Sequence, residues 1–380
     1  MILEDGSAAV GDCAAVQYSG AGGRDPLFLA DQFIAMLERH IRPLLEGRDA
    51  LAFVANAHFF DTLVVEGKPL HTALRYGLSQ ALLDAAAQAR RCLKVEVLCV
   101  DYQLPLLPEP LPLFGQSGDD RYHGVDKMIL KQVDVLPHGL FNHVADKLGH
   151  RGEKLSDYIR WLAGRIKHLK THRDYQPDLH IDVYGTIGEI FDHNPERIAD
   201  YLAQLETAAG GLKLFIEGPV DAGCRHAQID ALAALRHSLH RKGCAVKLVA
   251  DEWCNTLEDV MAFAQAGCCH MVQIKTPDLG SVHNTLEAVL YCQQAGTQSY
   301  QGGSCNETDM SARCCVHVAL AARPERLLVK PGMGFDEGMT IVGNEMHRTI
   351  EQLQYQRAMA STSAGHHPQT LSALEATANE

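Results

Sequence analysis

Four apolar runs between Leu179 and Lys275 repeat at regular intervals, and each closes on a charged residue. The runs are LHIDVYG, LKLFIEGP, AVKLVADEW and HMVQIKT, and their charged residues are Asp182, Glu217, Asp251 and Lys275. The intervals between these charges are 35, 34 and 24 residues, the length of a strand, a helix and two short loops. The pattern therefore predicts successive βα units that build a parallel sheet.

The alternation of strand-like and helix-like segments continues on both sides of this stretch. Two earlier strands are predicted to end at Gln116 and His138, and two later ones lie at TQSYQGGS, ending at Ser304, and at ERLLVKPGMG. The predicted helices are Leu155–Leu169, Pro195–Gly210, Ser281–Gly296, Asn306–Ala322 and a last one reaching about Gln356. Eight strands within roughly 240 residues predict an α/β fold, a (β/α)8 TIM-type barrel over residues 111–356.

Residues 1–110 lack this repeat and are predicted to form a separate α+β domain. Met1–Asp12 predicts a hairpin around a turn at Asp5–Gly6. Leu70–Arg91 predicts a helix, and the proline-rich Val100–Phe114 predicts the crossing between domains. The glycine-rich Ser19–Pro26 lacks the spacing of a phosphate-binding loop, so it is either a mobile turn or a flap over a ligand. Residues 357–380 are polar and unpatterned, which predicts a disordered tail.

The composition is that of an ordinary globular protein, with 46% hydrophobic and 21% charged residues among 380. A net charge of -13 argues against a nucleic-acid or anionic-membrane partner. No apolar run approaches the roughly 20 residues of a membrane span, and the first residues do not resemble a signal peptide. We therefore expect a soluble, cytoplasmic protein. None of the 12 cysteines forms a C-x-x-C pair, so reduced, mostly buried thiols are expected.

The charged strand ends are the candidate chemistry, because the carboxyl ends of barrel strands meet at one mouth. Asp182, Glu217 and Asp251 offer oxygen ligands in the pattern that Mg²⁺ or Mn²⁺ prefers over zinc. A single acid at such a position would serve loop solvation or helix capping equally well. Three acids on consecutive strands favour a metal site.

Lys275 follows the next strand and is predicted to share an inward face with Gln273, because strand side chains alternate. Near a divalent cation and partly desolvated, its pKa is expected to be lowered, so that it can act as a base. The alternative is a lysine that pairs with a neighbouring acid. His138 lies on a different strand and is either a partner across the pocket or a structural histidine. Neutral donors at other strand ends would suit a carboxylate-bearing substrate: Gln116, Gln273, Ser304 and the backbone around Cys305.

Together, a metal that binds a substrate carboxylate and a lysine that removes the adjacent carbon proton define an enolate-forming site. Several long stretches resemble the methylaspartate ammonia-lyases, a branch of the enolase superfamily. They are GDCAAVQYSGAGGRDPLFLA, QSGDDRY, HIDVYGTIG, EGP, VADEWCNT, VQIKTPDLG, GGSCNET and KPGMGFDEGM. The resemblance covers the chain to about Gln352 and implies an enolase-like capping domain in front of the barrel.

The resemblance also implies a reaction and a site. Asp182, Glu217 and Asp251 would bind Mg²⁺, with K⁺ as a monovalent activator. Lys275 would take the C3 proton of (2S,3S)-3-methylaspartate, an amino-diacid, to give mesaconate and ammonia, and His138 would serve the other C3 epimer. The implied substrate contacts are Gln17, Gln116, Gln273, Ser304 and Cys305. Members of the family are homodimers that act in glutamate breakdown.

Two departures from the family pattern stand out. Ser304 occupies a position where the family has threonine, which predicts a slightly looser fit to the substrate. The chain also begins inside the capping domain, so we expect a truncated cap with an unpaired sheet edge and lower activity or stability.

Two alternative functions remain open at this point. One is another enolase-superfamily enzyme, such as an acid-sugar dehydratase, racemase or cycloisomerase. It is disfavoured because the chain has no K-x-K and its sixth strand ends in Lys275 rather than a member of a His–Asp pair. The other is a barrel that binds metal and ligand without catalysis.

Overall fold

The predicted βα repeat folds into a closed barrel of eight parallel strands. The computed structural model describes residues 1–16, 23–330, 332 and 334–364, with residues 360–364 described as backbone alone. The barrel strands are β3 Leu113–Phe114, β4 Val135–Leu140, β5 Asp178–Asp182, β6 Leu214–Glu217, β7 Lys247–Ala250, β8 Met271–Ile274, β9 Gln298–Gln301 and β10 Arg326–Leu328. Each strand pairs with the next one in sequence, and β10 closes the barrel against β3. The predicted barrel is confirmed.

Alternation along each strand divides the side chains between the barrel interior and the surrounding helices. On β8, Met271 belongs to the small cluster that fills the interior, whereas Val272 belongs to the larger core beneath the helices. The same alternation places Gln273 on the inward side and Ile274 in the larger core. Lys275 therefore continues the inward-facing row, as the sequence predicts.

The strand register sets the height of the acids at the carboxyl end of the barrel. Asp182 is paired with Leu140 on one side and with Glu217 on the other. Glu217 is in turn paired with Val249, so Asp251 follows two residues further along. Asp182 and Glu217 therefore lie at one level, and Asp251 lies two residues beyond it at the same end of the barrel.

Fourteen α-helices surround the strands and form most of the cap in the described part of the chain. They are α1 Ala30–Met36, α2 Arg42–Leu45, α3 Phe53–Asp61, α4 Thr72–Arg90, α5 Lys94–Asp101, α6 His123–Leu130, α7 Glu153–Leu169, α8 Thr186–Ile190, α9 Pro195–Ala208, α10 Arg225–Lys242, α11 Leu257–Ala266, α12 Val282–Gln294, α13 Asp309–Ala322 and α14 Phe335–Ala364. π-Helical turns occur at Leu37–Ile41 and Val144–Leu148. None of the described helices combines the length and the apolar surface that a bilayer crossing needs.

Local sequence signals explain several helix ends. The Asn194 side chain accepts hydrogen bonds from the first turn of α9, and Pro195 occupies the first helical position. Gly243 ends α10 in the left-handed conformation, which glycine adopts without steric cost. The predicted end of the last helix near Gln356 is wrong, because α14 continues to Ala364. Residues 365–380 of the predicted tail lie outside the described residues.

The cap packs on one side of the barrel through α4 and α5. α4 contacts α12, and α5 contacts α13. The predicted hairpin is present as one antiparallel bridge between Ile2 and Ala8, and the two-residue strands β1 Val64–Val65 and β2 Lys68–Pro69 form a second one. Gly11 lies so close to α4 that a Cβ there would be 2.0 Å from the carbonyl oxygen of Gly77, so only glycine fits.

Candidate active site

A cavity of about 240 Å³ lies at the carboxyl ends of the barrel strands. Its lining includes most of the residues predicted from the sequence, namely Gln116, His138, Asp182, Asp251, Gln273, Lys275, Ser304 and Cys305. The cap contributes Arg24 and Val16 to the same cavity. Glu217 is fully buried beside it. Gln17, another predicted contact, lies outside the described residues.

Asp182 and Glu217 form a close group with His138. One ligand atom from each residue lies within 4.8 Å of the others. The Nε2 atom of His138 is 3.7 Å from Glu217 Oε2 and 3.9 Å from Asp182 Oδ2. Burial and the nearby charges of Glu217 and Asp251 raise the pKa of Asp182 well above its ordinary value. The described structure thus places His138 beside two of the three predicted metal ligands.

Asp251, the third predicted ligand, is engaged differently. Its Oδ1 atom lies 2.6 Å from Nζ of Lys275, and both side chains are buried. Burial raises the pKa of Asp251 to about 7, although the Lys275 charge opposes this shift. Asp251 is therefore close to the other acids but shares its charge with the lysine.

Lys275 donates further hydrogen bonds to the carbonyl oxygen of Asp251 at 2.9 Å and to Oδ1 of Asn255 at 3.1 Å. Burial opposes its positive charge, but the charges of Asp251, Glu252 and Asp278 together outweigh burial and raise the pKa of Lys275. The predicted lowering of this pKa applies to a lysine beside a bound divalent cation, and it stays a prediction. The Nζ atom of Lys275 forms the ion pair with Asp251, and the same atom is the predicted base.

Two residues that the sequence analysis did not single out hold Glu217 in place. The hydroxyl of Tyr300 donates to the carboxylate at 2.8 Å, and His180 Nε2 lies 2.7 Å from Oε2. Burial by itself would raise the pKa of Glu217, but the neighbouring imidazoles of His138 and His180 lower it overall. His180 precedes Asp182 by two residues, so strand alternation was an available signal for it. Tyr300 reaches Glu217 from β9 across the barrel interior, and no local pattern marks that contact.

Arg24, in the described part of the glycine-rich segment, lines the cavity from the cap. Its guanidinium donates to Asp278 Oδ2 at 2.7 Å and to Asn255 Oδ1 at 3.0 Å, and it lies 3.4 Å from Glu252 Oε2. Asn255 Oδ1 therefore receives hydrogen bonds from both Arg24 and Lys275. These contacts support the interpretation of the described part of this segment as a cover over the site.

The loop after β9 carries Ser304 and Cys305 and is held in place by hydrogen bonds to the Glu307 carboxylate. The Ser304 backbone N–H donates to Glu307 Oε2 at 2.5 Å. The other oxygen of Glu307 accepts from Lys330 Nζ at 2.9 Å and from the Tyr76 hydroxyl of the cap at 2.7 Å. A buried ion pair thus ties this loop to both β10 and α4.

The barrel order places Lys275 and His138 on opposite walls. His138 is on β4 and Lys275 follows β8, four strands further around a barrel of eight. Asp182 and Glu217 end β5 and β6, and Asp251 follows β7, so these acids line one side between the two walls. Gln273 presents a buried side-chain oxygen with no hydrogen-bond partner among the described residues, next to the same space. A ligand with two faces and several polar groups would be enclosed by this arrangement.

The capped barrel with acids at its strand ends defines an enzyme of the enolase-superfamily architecture. Muconate lactonizing enzyme from Pseudomonas fluorescens shares this fold at a TM-score of 0.59 and 19% identity, over 83% of this chain and 74% of that one. Dipeptide epimerase from Methylococcus capsulatus does so at 0.65 and 20% identity, over 88% of this chain and 84% of that one. At these identities the likeness shows the fold alone.

The chain belongs to the methylaspartate ammonia-lyase family, a family of carbon–nitrogen lyases. Residues 1–103 match the family described as methylaspartate ammonia-lyase N-terminus, and residues 105–355 match the corresponding C-terminus. The chain is 66% identical to methylaspartate ammonia-lyase of Citrobacter amalonaticus over 93% of this chain and 86% of that protein. It is 57% identical to methylaspartate ammonia-lyase 2 of Carboxydothermus hydrogenoformans, over 93% of this chain and 85% of that one.

Solved structures of relatives superimpose closely on this one. The crystal structure of the Citrobacter amalonaticus enzyme, which contains (2S,3S)-3-methylaspartic acid, gives a TM-score of 0.92 over 93% of this chain and 86% of that one. A Mg complex of β-methylaspartase from Clostridium tetanomorphum gives 0.89 at 51% identity, over 93% of this chain and 86% of that one. The resemblance noted in the sequence is confirmed at the level of the family. The roles of individual residues stay predictions.

Proposed function

We propose that this chain is a Mg²⁺-dependent ammonia-lyase that converts (2S,3S)-3-methylaspartate to mesaconate and ammonia. One observation carries the proposal: a buried lysine and a buried histidine stand on opposite walls of one cavity, with three carboxylates between them. Family membership supports it, as does the ligand in the Citrobacter amalonaticus structure.

The donor set fits a hard divalent cation. Asp182, Glu217 and Asp251 are buried carboxylates facing one ammonium group, that of Lys275, so negative charge is in excess. Burial and the neighbouring carboxylates raise the pKa of Asp182, and a divalent cation would offset the negative charge of these carboxylates. Oxygen ligands favour Mg²⁺, and the Clostridium tetanomorphum relative has been solved as a Mg complex. Bound Mg²⁺ would polarise the substrate carboxylate next to the carbon that loses its proton.

In this proposal Lys275 is the base that accepts the C3 proton of the (2S,3S) substrate. Asn255 and the Asp251 carbonyl oxygen hold its amine at the wall of the cavity. A base must be neutral, and the Asp251 ion pair favours the charged form. An Asp251 carboxylate that is shared with a cation would stabilise the ammonium less, so the neutral amine would become more accessible.

His138 faces the opposite side of the substrate and would exchange the C3 proton of the other epimer. Gln116, Gln273, Ser304 and Cys305 line the same cavity and would orient the substrate carboxylates and amine. The buried oxygen of Gln273 suits a donor such as the substrate ammonium group. The missing methyl of Ser304 leaves the pocket slightly wider than the family pattern does.

The direct test is to incubate the purified chain with (2S,3S)-3-methylaspartate and Mg²⁺. We expect ultraviolet absorption of a conjugated diacid to rise together with release of ammonia. Removal of Mg²⁺ by a chelator should stop both signals, and its return should restore them. Mg²⁺ binding without any product would instead favour a barrel that binds its ligands without catalysis.

The metal assignment has its own test in Asp251→Asn. Loss of one carboxylate should raise the Mg²⁺ concentration for half-maximal activity by at least about tenfold, because affinity for Mg²⁺ depends on the number of charged oxygen ligands. Glu258→Gln, an acid on α11 outside the cavity lining, is the matched control and should leave that concentration unchanged. An unchanged Mg²⁺ requirement in Asp251→Asn would remove Asp251 from the ligand set.

The wider setting of the reaction rests on the family resemblance. A homodimer, activation by K⁺ and a place in glutamate breakdown through mesaconate are proposed on that basis. Light scattering would test the dimer. Activity assays in which Na⁺ replaces K⁺ would test the monovalent cation.

A further inference from the structure

A second cluster of metal-ligating side chains lies on the seam between the cap and the barrel, apart from the active-site cavity. His58 belongs to α3 of the cap, and His283 and Glu287 belong to α12 of the barrel. His283 and Glu287 are four residues apart, so they project from one face of α12. One ligand atom from each of the three residues lies within 4.8 Å of the others.

His283 is the buried member of this cluster, with no exposed surface. Its Nδ1 atom lies 2.5 Å from the Ser281 hydroxyl oxygen, whereas its Nε2 atom has no hydrogen-bond partner among the residues that the structure describes. A buried polar nitrogen without a partner is costly, so such an atom calls for a ligand. Burial also lowers the pKa of His283 to about 4, which keeps the ring neutral at neutral pH.

His58 and Glu287 are the other two members of the cluster, and they lie on its solvent-exposed side. His58 Nε2 lies 3.6 Å from Glu287 Oε1, and the side chain of His58 is 49% exposed. The ring centroids of His58 and His283 are 4.1 Å apart. The Tyr102 hydroxyl donates to Glu287 Oε1 at 2.7 Å and so orients the carboxylate from behind.

The surrounding charges permit a cation. Arg75 of the cap, a positive group whose charge acts on His283, is paired with Asp61 at 3.2 Å. The Asp61 carboxylate also accepts hydrogen bonds from the Ser281 backbone and the Asn284 side chain. The Arg75 charge is therefore balanced locally.

We propose that His58, His283 and Glu287 bind a divalent transition-metal ion of the zinc type and thereby link the cap to the barrel. Two imidazoles and one carboxylate are a ligand set that zinc prefers, with water as the fourth ligand at the exposed side. Ligands on a tetrahedral zinc are about 3.3 Å apart for bonds of about 2.0 Å. The His58 and Glu287 atoms are 3.6 Å apart, and all three ligand atoms lie within 4.8 Å of one another, so small side-chain shifts would close the site. The Nδ1–H of His283 would donate to the Ser281 hydroxyl and leave Nε2 as the acceptor for a metal. This contact and the hydrogen bond from Tyr102 to Glu287 match the outer contacts that orient metal ligands.

This site differs chemically from the one in the barrel mouth. The active-site acids offer oxygen to a hard cation, whereas the seam site offers two nitrogens and one oxygen. The seam ion would act on the docking of α3 against α12 rather than on the reaction. Its presence can therefore be tested without measuring turnover.

The test is a calorimetric titration of the intact protein with Zn²⁺ in wild type, His58→Ala and Glu287→Gln. We expect the two variants to lose one binding event or to bind Zn²⁺ at that site at least tenfold more weakly. Zn²⁺ that enters the active site persists in both variants and is subtracted. His123→Ala is the matched control, since His123 is 94% exposed at its side chain and lies outside the cluster.

Thermal unfolding provides the second readout. Because an ion bound only to the folded state stabilises it, Zn²⁺ should raise the Tm of wild type and His123→Ala more than that of His58→Ala. His58 is a surface residue, so its variant folds and remains comparable. Equal Zn²⁺ affinity and equal Tm shifts in wild type and His58→Ala would overturn the proposal and leave the cluster as a His58–Glu287 ion pair packed on His283.

Discussion

The active site has a barrel side and a cap side, and the two are built by different means. On the barrel side, Asp182 and Glu217 sit opposite each other in a hydrogen-bonded strand register. On the cap side, Arg24 and Tyr76 reach the site only through side-chain contacts, to Asp278 and Asn255 and to Glu307 respectively. The barrel side therefore carries the proposed reacting groups on paired strands, and the cap side positions and covers them. A substitution on one side can therefore be used to measure how strongly the other side depends on it.

The largest effect is expected on the barrel side, from Lys275→Ala. Removing a general base typically lowers kcat by a factor of about 10² to 10⁴, so turnover of the (2S,3S) substrate should fall by roughly a thousandfold. The Asp182 and Glu217 carboxylates remain, so Mg²⁺ affinity should stay within a few-fold of wild type. Steady-state kinetics together with an Mg²⁺ titration measures both quantities. Normal turnover in this variant would show that Lys275 is not the base.

The next effect concerns the buried ion pair beneath the loop of Ser304, where the barrel and cap sides meet. Lys330→Met leaves the Glu307 carboxylate buried without its lysine, which should destabilise the fold by about 3 to 5 kcal/mol. Adding Glu307→Gln in the same chain removes the uncompensated charge and should recover much of that loss. Urea denaturation of the two variants measures the difference. Equal stability of the single and double variants would mean that the pair is not energetically coupled.

The contacts on the barrel side differ in how far they could be predicted from the sequence. Strand ends in a parallel barrel must converge, so the positions of Asp182, Glu217 and Lys275 followed from periodicity alone. The Asp251–Lys275 ion pair did not follow from periodicity, because it depends on the side-chain rotamers of residues beyond the ends of β7 and β8. The contact of Tyr300 with Glu217 crosses the barrel interior between strands far apart in sequence.

The cap side was harder to predict for a further reason. The glycine-rich segment was recognised as unusual, but its arginine was not singled out. The partners of Arg24, which are Asp278 and Asn255, lie more than 200 residues away. Only the docking of the cap brings them together. A local pattern can mark such a loop without identifying what it touches.

Arg24→Ala should therefore give a smaller, positioning effect from the cap side. Its loss frees Asn255 from one of two hydrogen bonds, so Lys275 is held less firmly and kcat/KM should fall by about ten- to a hundredfold. Arg24→Lys should recover only part of this, because lysine lacks the forked geometry that meets two acceptors at once. Mg²⁺ affinity is expected to change much less than kcat/KM, since the described hydrogen bonds of Arg24 include those to Asp278 and Asn255, which are not among the proposed metal ligands.

The matched control for Arg24 is Arg42→Ala, another cap arginine. Arg42 is 65% exposed at its side chain and pairs only with Glu38 and Glu46 on the surface among the contacts described. Surface pairs of this kind contribute little to stability, so the control should match wild type in both kcat/KM and Tm. A similar loss in both arginine variants would point to a general weakening of the cap instead of a specific effect on Lys275.

The smallest effect is expected where the two sides touch at Ser304. Its hydroxyl lies 3.5 Å from the carbonyl oxygen of Ala15 in the cap, and the side chain is buried. Ser304→Thr keeps the hydroxyl, adds a methyl group and restricts the side-chain rotamer. If the pocket has room on the substrate side, KM should fall by less than about fivefold with kcat unchanged, since one methyl group contributes at most a few kcal/mol to discrimination. If the methyl meets the cap instead, the Tm should drop and KM should rise, which would place the boundary between the two sides at this residue.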